Sequence, residues 1–319
     1  MGKLSEKYIA GFLDSDGSIQ LLWRSMNRAE PNSKIKRPYL SLEFSQLTRN
    51  DEVLYRIQDS IGGAITQDEA KKASTLKLFG SPAAQVLHRI AKFLVVKRHY
   101  AEVVLELLGK DHDVELVKAY LKAQRKVKGG IPNYPSRKWL AGYFDGDGSF
   151  AARIGKGRTS AQMVAEITSS AYDSEGIELL QKVFGGYISR RATETNVLSS
   201  WVLTMPASKV IEFVGYFASE LIIKREQAYF ILGCAKMGHF RDGKSISAIL
   251  KDLKTQPHRL SEQKADVTKL LDQIEDVQTK REIYKQEFKR NGGCRCGSVR
   301  LYALGLCRDC YEKQRRLKR

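Results

Sequence analysis

Cysteine and proline are scarce in this chain, and long apolar runs are missing. Its 319 residues include seven prolines and five cysteines. Four of the cysteines lie beyond residue 293, a local cluster that excludes a disulfide framework spanning the whole chain. No apolar run approaches the ~18 residues that cross a bilayer. Met1-Gly2-Lys3-Leu4-Ser5 carries no secretory h-region, so a soluble, intracellular protein with no membrane partner is expected. Acidic residues are also in deficit, 36 against 54 Lys and Arg, giving a net charge of +18. Such an excess suits a polyanion such as nucleic acid, with salt-dependent binding through counterion release.

What is present is a repeated sentence. Ile9-Ala10-Gly11-Phe12-Leu13-Asp14-Ser15-Asp16-Gly17-Ser18 returns as Leu140-Ala141-Gly142-Tyr143-Phe144-Asp145-Gly146-Asp147-Gly148-Ser149. As helices, Ile9 to Asp14 and Leu140 to Asp145 are apolar almost all round and should be buried. Ala10-Gly11 and Ala141-Gly142 lack bulk, which lets two backbones approach, and the other copy is the natural partner. Gly17 and Gly148 are expected to stop the helices. Asp16 and Asp147 then stand at helix C-termini, where a carboxylate opposes the macrodipole. Parallel packing of the two helices would also bring the carboxylates together. A hard divalent cation between them relieves both penalties.

The two segments resemble the paired motifs of the LAGLIDADG homing endonucleases, in the two-motif, single-chain form, over roughly residues 4 to 235. The resemblance implies an α+β fold of two pseudo-symmetric αββαββα halves. Their antiparallel sheets would form a DNA-binding saddle, with the motif helices at the interface. It implies a monomer that cuts both strands of a long asymmetric double-stranded DNA site with Mg²⁺ (or Mn²⁺), in a bacterial or phage cytoplasm or an organelle. Asp16 and Asp147 match the metal-binding catalytic acids, with the Gly17 and Gly148 carbonyls as further candidate ligands. Asp14 and Asp145 match the earlier acid of the motif and read as structural. Lys97 and Lys224, each near the end of its half, match the family's basic residue near the scissile phosphates. Arg98 and Arg225 are the neighbouring alternatives. The family's polar residue after the second strand has no clean match among Gln46 to Thr48 or Ser169 to Ala171.

The remaining pattern repeats between halves. Strands are expected at Ser18 to Arg24, Pro38 to Ser45, Ala64 to Thr66 and Thr75 to Phe79, and again at Phe150 to Ile154, Met163 to Thr168, Gly186 to Arg191 and Ser200 to Met205. Helices are expected at Asp51 to Ile61, closed by Gly62-Gly63, and at Ser174 to Phe184, closed by Gly185-Gly186. Further helices read from Ser81 to Leu94, His99 to Leu108, Val114 to Lys126, Ala207 to Phe217 and Arg225 to Ala235. The expected domains are 1–126 and 138–236 with a linker at 127–137, a basic helical extension at 237–290 and a small module at 291–319. Strand alternation would place Ser18, Gln20 and Arg24, and Ser149 and Arg153, on a DNA-reading face, with Arg190 as a further contact.

Gly238 to His258 reads as a loop-rich connector, and Ser261 to Phe288 as a helix docking on the body or laid along DNA, with a dimerising coiled coil as the alternative. Cys294, Cys296, Cys307 and Cys310 can supply four thiolates to a tetrahedral Zn²⁺. A segment this short needs the metal to fold. Arg295, Arg300, Arg308, Arg315 and Arg316 around it favour phosphate contacts. Two other functions fit the same surface: an RNA maturase that binds intron RNA, and a non-catalytic DNA-binding regulator. Retention of Asp16, Asp147, Lys97 and Lys224 favours cleavage over the latter.

Overall fold

A computed structural model describes residues 3–24, 35–125, 127, 134–155, 161–170, 174–191, 200–236 and 243–255. The first half runs α1 (Glu6–Asp14), β1 (Gly17–Arg24), β2 (Ile35–Leu47), α2 (Glu52–Ile61), β3 (Ala64–Asp68), β4 (Ala73–Phe79), α3 (Gly80–Ile90) and α4 (Arg98–Glu106). A two-residue strand, β5 (His112–Asp113), pairs with the start of β2 and leads into α5 (Val114–Gln124). The second half repeats the order with α6 (Arg137–Asp147), β6 (Gly148–Ile154), β7 (Ala161–Ser169), α7 (Glu175–Phe184), β8 (Tyr187–Arg191), β9 (Ser200–Met205), α8 (Ala207–Phe217) and α9 (Arg225–Lys236). One more helix follows, α10 (Gly243–Thr255).

Both sheets are antiparallel and share one strand order, β1-β2-β4-β3 and β6-β7-β9-β8. The α+β repeat implied by the duplicated motif is therefore present. In each sheet the first strand starts directly after its motif helix, so the helix end, the acid and the first strand form one continuous device.

The sheet alternation is clean where it matters. Ile19, Leu40, Leu42, Phe44, Leu76 and Leu78 are buried on one face, while Ser18, Gln20, Leu22 and Arg24 share the other. The first core is largely aliphatic. The second packs Phe144 against Phe150, Phe213 and Phe217, with Phe184 against Phe213.

The double glycines close α2 and α7 in the left-handed region, Gly62 and Gly63 at φ 78° and 104°, Gly185 and Gly186 at φ 79° and 98°. Only glycine enters that region without strain. Gly17 and Gly148 work differently from expectation. Neither has positive φ, and each instead opens its strand where a Cβ would strike Leu13 or Phe144 of the preceding helix. They end the helix by allowing a tight corner.

Residues 238–258 were expected to be a connector, yet 243–255 are helical. Ile246, Leu250 and Leu253 recur at helical spacing and are buried, and α10 packs on β6, β7 and α9. The predicted helix at 261–288 and the cysteine cluster lie outside the described residues.

Candidate active site between the two motif helices

α1 and α6 pack face to face on their glycines. A Cβ on Gly11 would lie 2.0 Å from the Trp139 carbonyl, and one on Gly142 would lie 2.1 Å from the Tyr8 carbonyl. The close approach read from Ala-Gly in each motif is thus a backbone-on-backbone contact. The same closeness holds at the helix ends, where a Cβ on Gly146 would meet the Ser15 hydroxyl at 2.0 Å and the Asp16 nitrogen at 3.2 Å.

The earlier acid of each motif is buried and bonded across this interface. Asp14 accepts hydrogen bonds from the Val95 nitrogen (2.7 Å), the Lys97 nitrogen (2.8 Å) and the indole Nε1 of Trp139 (2.9 Å). Asp145 accepts from the Ile222 nitrogen (2.7 Å), the Lys224 nitrogen (2.9 Å) and the Tyr8 hydroxyl (2.6 Å). Tyr8 and Trp139 occupy equivalent positions, so the exchange is reciprocal: each half's aromatic donates to the other half's carboxylate. Burial pushes both carboxyls above the usual carboxylate range, opposed by Lys97 for Asp14 and Lys224 for Asp145, and by these hydrogen bonds. Tyr8 is pushed well up by burial, reinforced by Asp145.

Each candidate lysine reaches the end of one motif helix. Lys97 Nζ donates to the carbonyls of Leu13 (2.6 Å), Asp14 (2.9 Å), Ser15 (3.3 Å) and Gly17 (2.9 Å). Lys224 Nζ donates to those of Phe144 (2.9 Å), Asp145 (2.5 Å) and Gly146 (2.9 Å). Each ammonium therefore caps the C-terminus of its own half's motif helix, where a cation favours the macrodipole. This cancels the penalty that a carboxylate incurs there. Arg98 instead pairs with Glu102, and the Arg225 Nε donates to the Leu221 carbonyl. Those contacts separate the lysines from their neighbouring alternatives.

Asp16 and Asp147 are half-buried at the ends of these paired helices. Burial raises the Asp16 carboxyl, opposed by Lys224, Lys97 and a hydrogen bond from Gln46. Burial also lowers Lys224, opposed by Asp145, Asp16 and Asp147. Lys224 thus lies within electrostatic reach of both candidate catalytic acids. Beside Lys97 a cavity of about 280 Å³ is lined by Gly17, Ser18, Tyr100, Arg125 and Glu175 among others.

One contact could not be placed by the sequence pattern. Gln46 Nε2 donates to Asp16 Oδ2 at 3.0 Å. Gly17 faces Phe44 and Gly148 faces Ile167, so Ser169 is the register equivalent of Gln46. Its hydroxyl donates to the Ser170 carbonyl at 3.3 Å. Strand register was the signal needed, and it is not written in the sequence.

The proposed DNA-reading residues divide. Ser18, Gln20, Arg24, Ser149 and Arg153 share the sheet face away from the core, as alternation requires. Gln20 donates to the Ser18 hydroxyl (3.1 Å), and Arg153 pairs with Glu166. Arg190 lies on the opposite face: its partner across the ladder is Trp201, over whose ring it stands at 5.9 Å, and it shares parity with Ile188 and Leu203. The two-residue period of β8 turns it from the reading face. Cys294, Cys296, Cys307, Cys310, Arg295, Arg300, Arg308, Arg315 and Arg316 lie outside the described residues. Among the described residues no group of three or more His, Cys, Asp or Glu is placed to hold a metal ion.

Residues 140–234 match the family model described as LAGLIDADG endonuclease. The chain has the LAGLIDADG fold. The meganuclease I-SmaMI bound to uncleaveable DNA superposes with a TM-score of 0.56 at 19% identity, covering 79% of this chain and 96% of that one. The LAGLIDADG meganuclease I-AabMI bound to uncleaved DNA gives 0.56 at 14% identity, covering 79% and 98%. The LAGLIDADG homing endonuclease I-GzeII in complex with its DNA target gives 0.53 at 14%, covering 85% and 97%. No curated protein matches. The family match begins within α6, the second copy of the duplicated segment, and does not extend to α1. No described helix is long and apolar enough to cross a membrane.

Proposed function

We propose that this chain is a monomeric, site-specific endonuclease that hydrolyses both strands of double-stranded DNA. The observation that carries the reading is the convergence of Asp16, Asp147 and the capping lysines at the ends of two helices held in backbone contact. Each acid stands at the start of a sheet whose free face bears polar and basic side chains. The net charge of +18 supplies attraction to a phosphate backbone.

The donor set suits a hard divalent cation. Asp16 and Asp147 offer only oxygens, and they stand at adjoining helix ends. Mg²⁺ held by these carboxylates would supply Lewis acidity and an activated water for phosphodiester hydrolysis. The chain's own residues do the rest. Lys97 and Lys224 hold the helix ends and place positive charge beneath the acids. Gln46 orients the Asp16 carboxylate. Asp14 and Asp145 fix the peptide nitrogens of Lys97 and Lys224, and so aim their side chains. In this reading Asp16, Asp147, Lys97 and Lys224 are catalytic, while the Gly17 carbonyl is engaged by Lys97. We take 1–126 and 138–236 as the two halves, and Cys294, Cys296, Cys307 and Cys310 as a Zn²⁺ site, on sequence spacing alone.

The test is Mg²⁺-dependent cleavage of the uninterrupted version of the gene's own insertion locus, or of a randomised plasmid library. Asp16→Asn and Asp147→Asn proteins run in parallel. Discrete double-strand cuts by the unmodified protein, lost in both variants, are expected. Tight binding to flanking intron RNA with no cut would reject the nuclease in favour of the maturase.

A further inference from the structure

In each sheet the face away from the core carries a carboxylate at the same register position of the second strand. Ser18 faces Glu43 across β1 and β2, and Ser149 faces Glu166 across β6 and β7. Across the next ladder the partners are Lys77 on β4 and Thr204 on β9. Their equivalence is independently marked by Gly63 and Gly186, whose Cβ atoms would meet the Lys77 and Thr204 carbonyls at 2.8 and 2.9 Å.

The two halves place a cation beside this carboxylate by different routes. In the first, Lys77 reaches Glu43 directly across the ladder, with Nζ 3.4 Å from Oε1. Ser41 donates to the same oxygen at 3.5 Å. In the second, the ladder partner is Thr204, whose hydroxyl donates to Glu166 Oε1 at 3.1 Å. One cation is Arg153, whose own partner on β7 is Gln162, four residues from Glu166, and Lys254 of α10 lies within electrostatic reach of the same carboxylate. To reach Glu166 the guanidinium lies back along β6 over Ala151. The first half has Gln20 and Leu22 where the second has Ala151 and Arg153, so it has neither the cation nor the space for this route.

Exposure assigns the roles. The carboxylate side chains are sheltered, 22% exposed for Glu43 and 11% for Glu166, while Lys77 and Arg153 are 36% and 53% exposed. A sheltered carboxylate holding an exposed cation fixes where that cation points and leaves its remaining N–H donors facing outward. Arg and Lys pair with the O6 and N7 acceptors of guanine in the major groove.

We propose that Lys77 held by Glu43, and Arg153 held by Glu166, each select a guanine at matched positions in the two halves of the DNA site, with Glu43 and Glu166 as positioning residues. The proposal rests on the endonuclease reading, and it places one symmetric element inside an otherwise asymmetric target.

The experiment selects bound duplexes from a library randomised across the site, using the full chain without added Mg²⁺ and a series of salt concentrations. The unmodified protein is expected to enrich guanine at two positions related by the centre of the site. Arg153→Ala and Glu166→Gln should each reduce the preference at one of them roughly tenfold, and Lys77→Ala and Glu43→Gln at the other, leaving all other positions unchanged. Gln20→Ala/Leu22→Arg/Lys77→Thr rebuilds the second arrangement in the first half and should keep its guanine. Uniform weakening with a salt slope lower by about one would assign the cations to phosphates and overturn the proposal. Unaltered profiles in all variants would overturn it too. If the unmodified protein enriches no sequence, the endonuclease reading itself falls.

Discussion

Removing the Tyr8 hydroxyl should destabilise the protein by an amount that grows with pH. The hydroxyl is one of three donors to the buried Asp145 carboxylate, at 2.6 Å, and it comes from the other half of the molecule. Tyr8→Phe keeps the ring, which stacks near Phe12, and deletes only the bond. A hydrogen bond to a charged group contributes roughly 1.5–3 kcal/mol. With a urea slope of about 3 kcal/mol/M, the midpoint should fall by roughly 0.5–1 M. The pH dependence follows from the direction of the Asp145 shift. Burial raises its folded-state pKa, so its favourable contribution is full at acid pH and is lost as pH rises through that raised value. Deleting a donor to the ionised form raises the folded pKa further. The variant should therefore be nearly as stable as the unmodified protein where Asp145 is protonated, and increasingly weaker as it ionises. Urea unfolding at several pH values from mildly acidic to pH 8 measures this. An equal loss at every pH would mean that the bond does not act on the ionised carboxylate, and would refute the argument.

Two other perturbations probe the same region. Gly11→Ala adds a Cβ 2.0 Å from a backbone carbonyl that no rotamer change can move, so it should cost at least the roughly 1–3 kcal/mol of an overpacked core, seen as a lowered Tm. An unchanged Tm would show that the two helices can separate freely. Gln46→Ala removes the hydrogen bond to Asp16, while the opposite half has Ser169 at that position; it should slow the cutting of one strand more than the other and accumulate nicked plasmid. Equal slowing of both strands would place Gln46 outside the Asp16 site.

The architecture was legible because the duplication marked it. Two copies of an apolar, glycine-bearing segment located both motif helices, their partner and both terminal acids, and the double glycines placed the ends of α2 and α7. What stayed hidden depends on register or on distant partners. Gln46 is two residues beyond the partner of Gly17, which only the ladder reveals. Arg190 is basic and on a strand, but one residue of parity decides its face. The linkage of Asp14 to Trp139 and of Asp145 to Tyr8 joins residues far apart in the chain, and aromatic side chains in apolar helices give no local sign of a polar partner. The helix at 243–255 was obscured by the polar, glycine-bearing stretch before it, although Ile246, Leu250 and Leu253 carry its buried side.

The reciprocal bonds across α1 and α6 also bear on how such a chain can be rebuilt. A hybrid that joined the first half of this protein to the second half of a relative would inherit Tyr8 without Asp145, and Asp14 without Trp139. Asp14 would stay buried with one donor fewer, next to the lysine it orients, and the buried Tyr8 hydroxyl would lose its acceptor. Two residues from each parent therefore form a single inherited unit. A new half-specificity can be grafted only if the incoming helix brings an aromatic donor and an acid that complete both bonds.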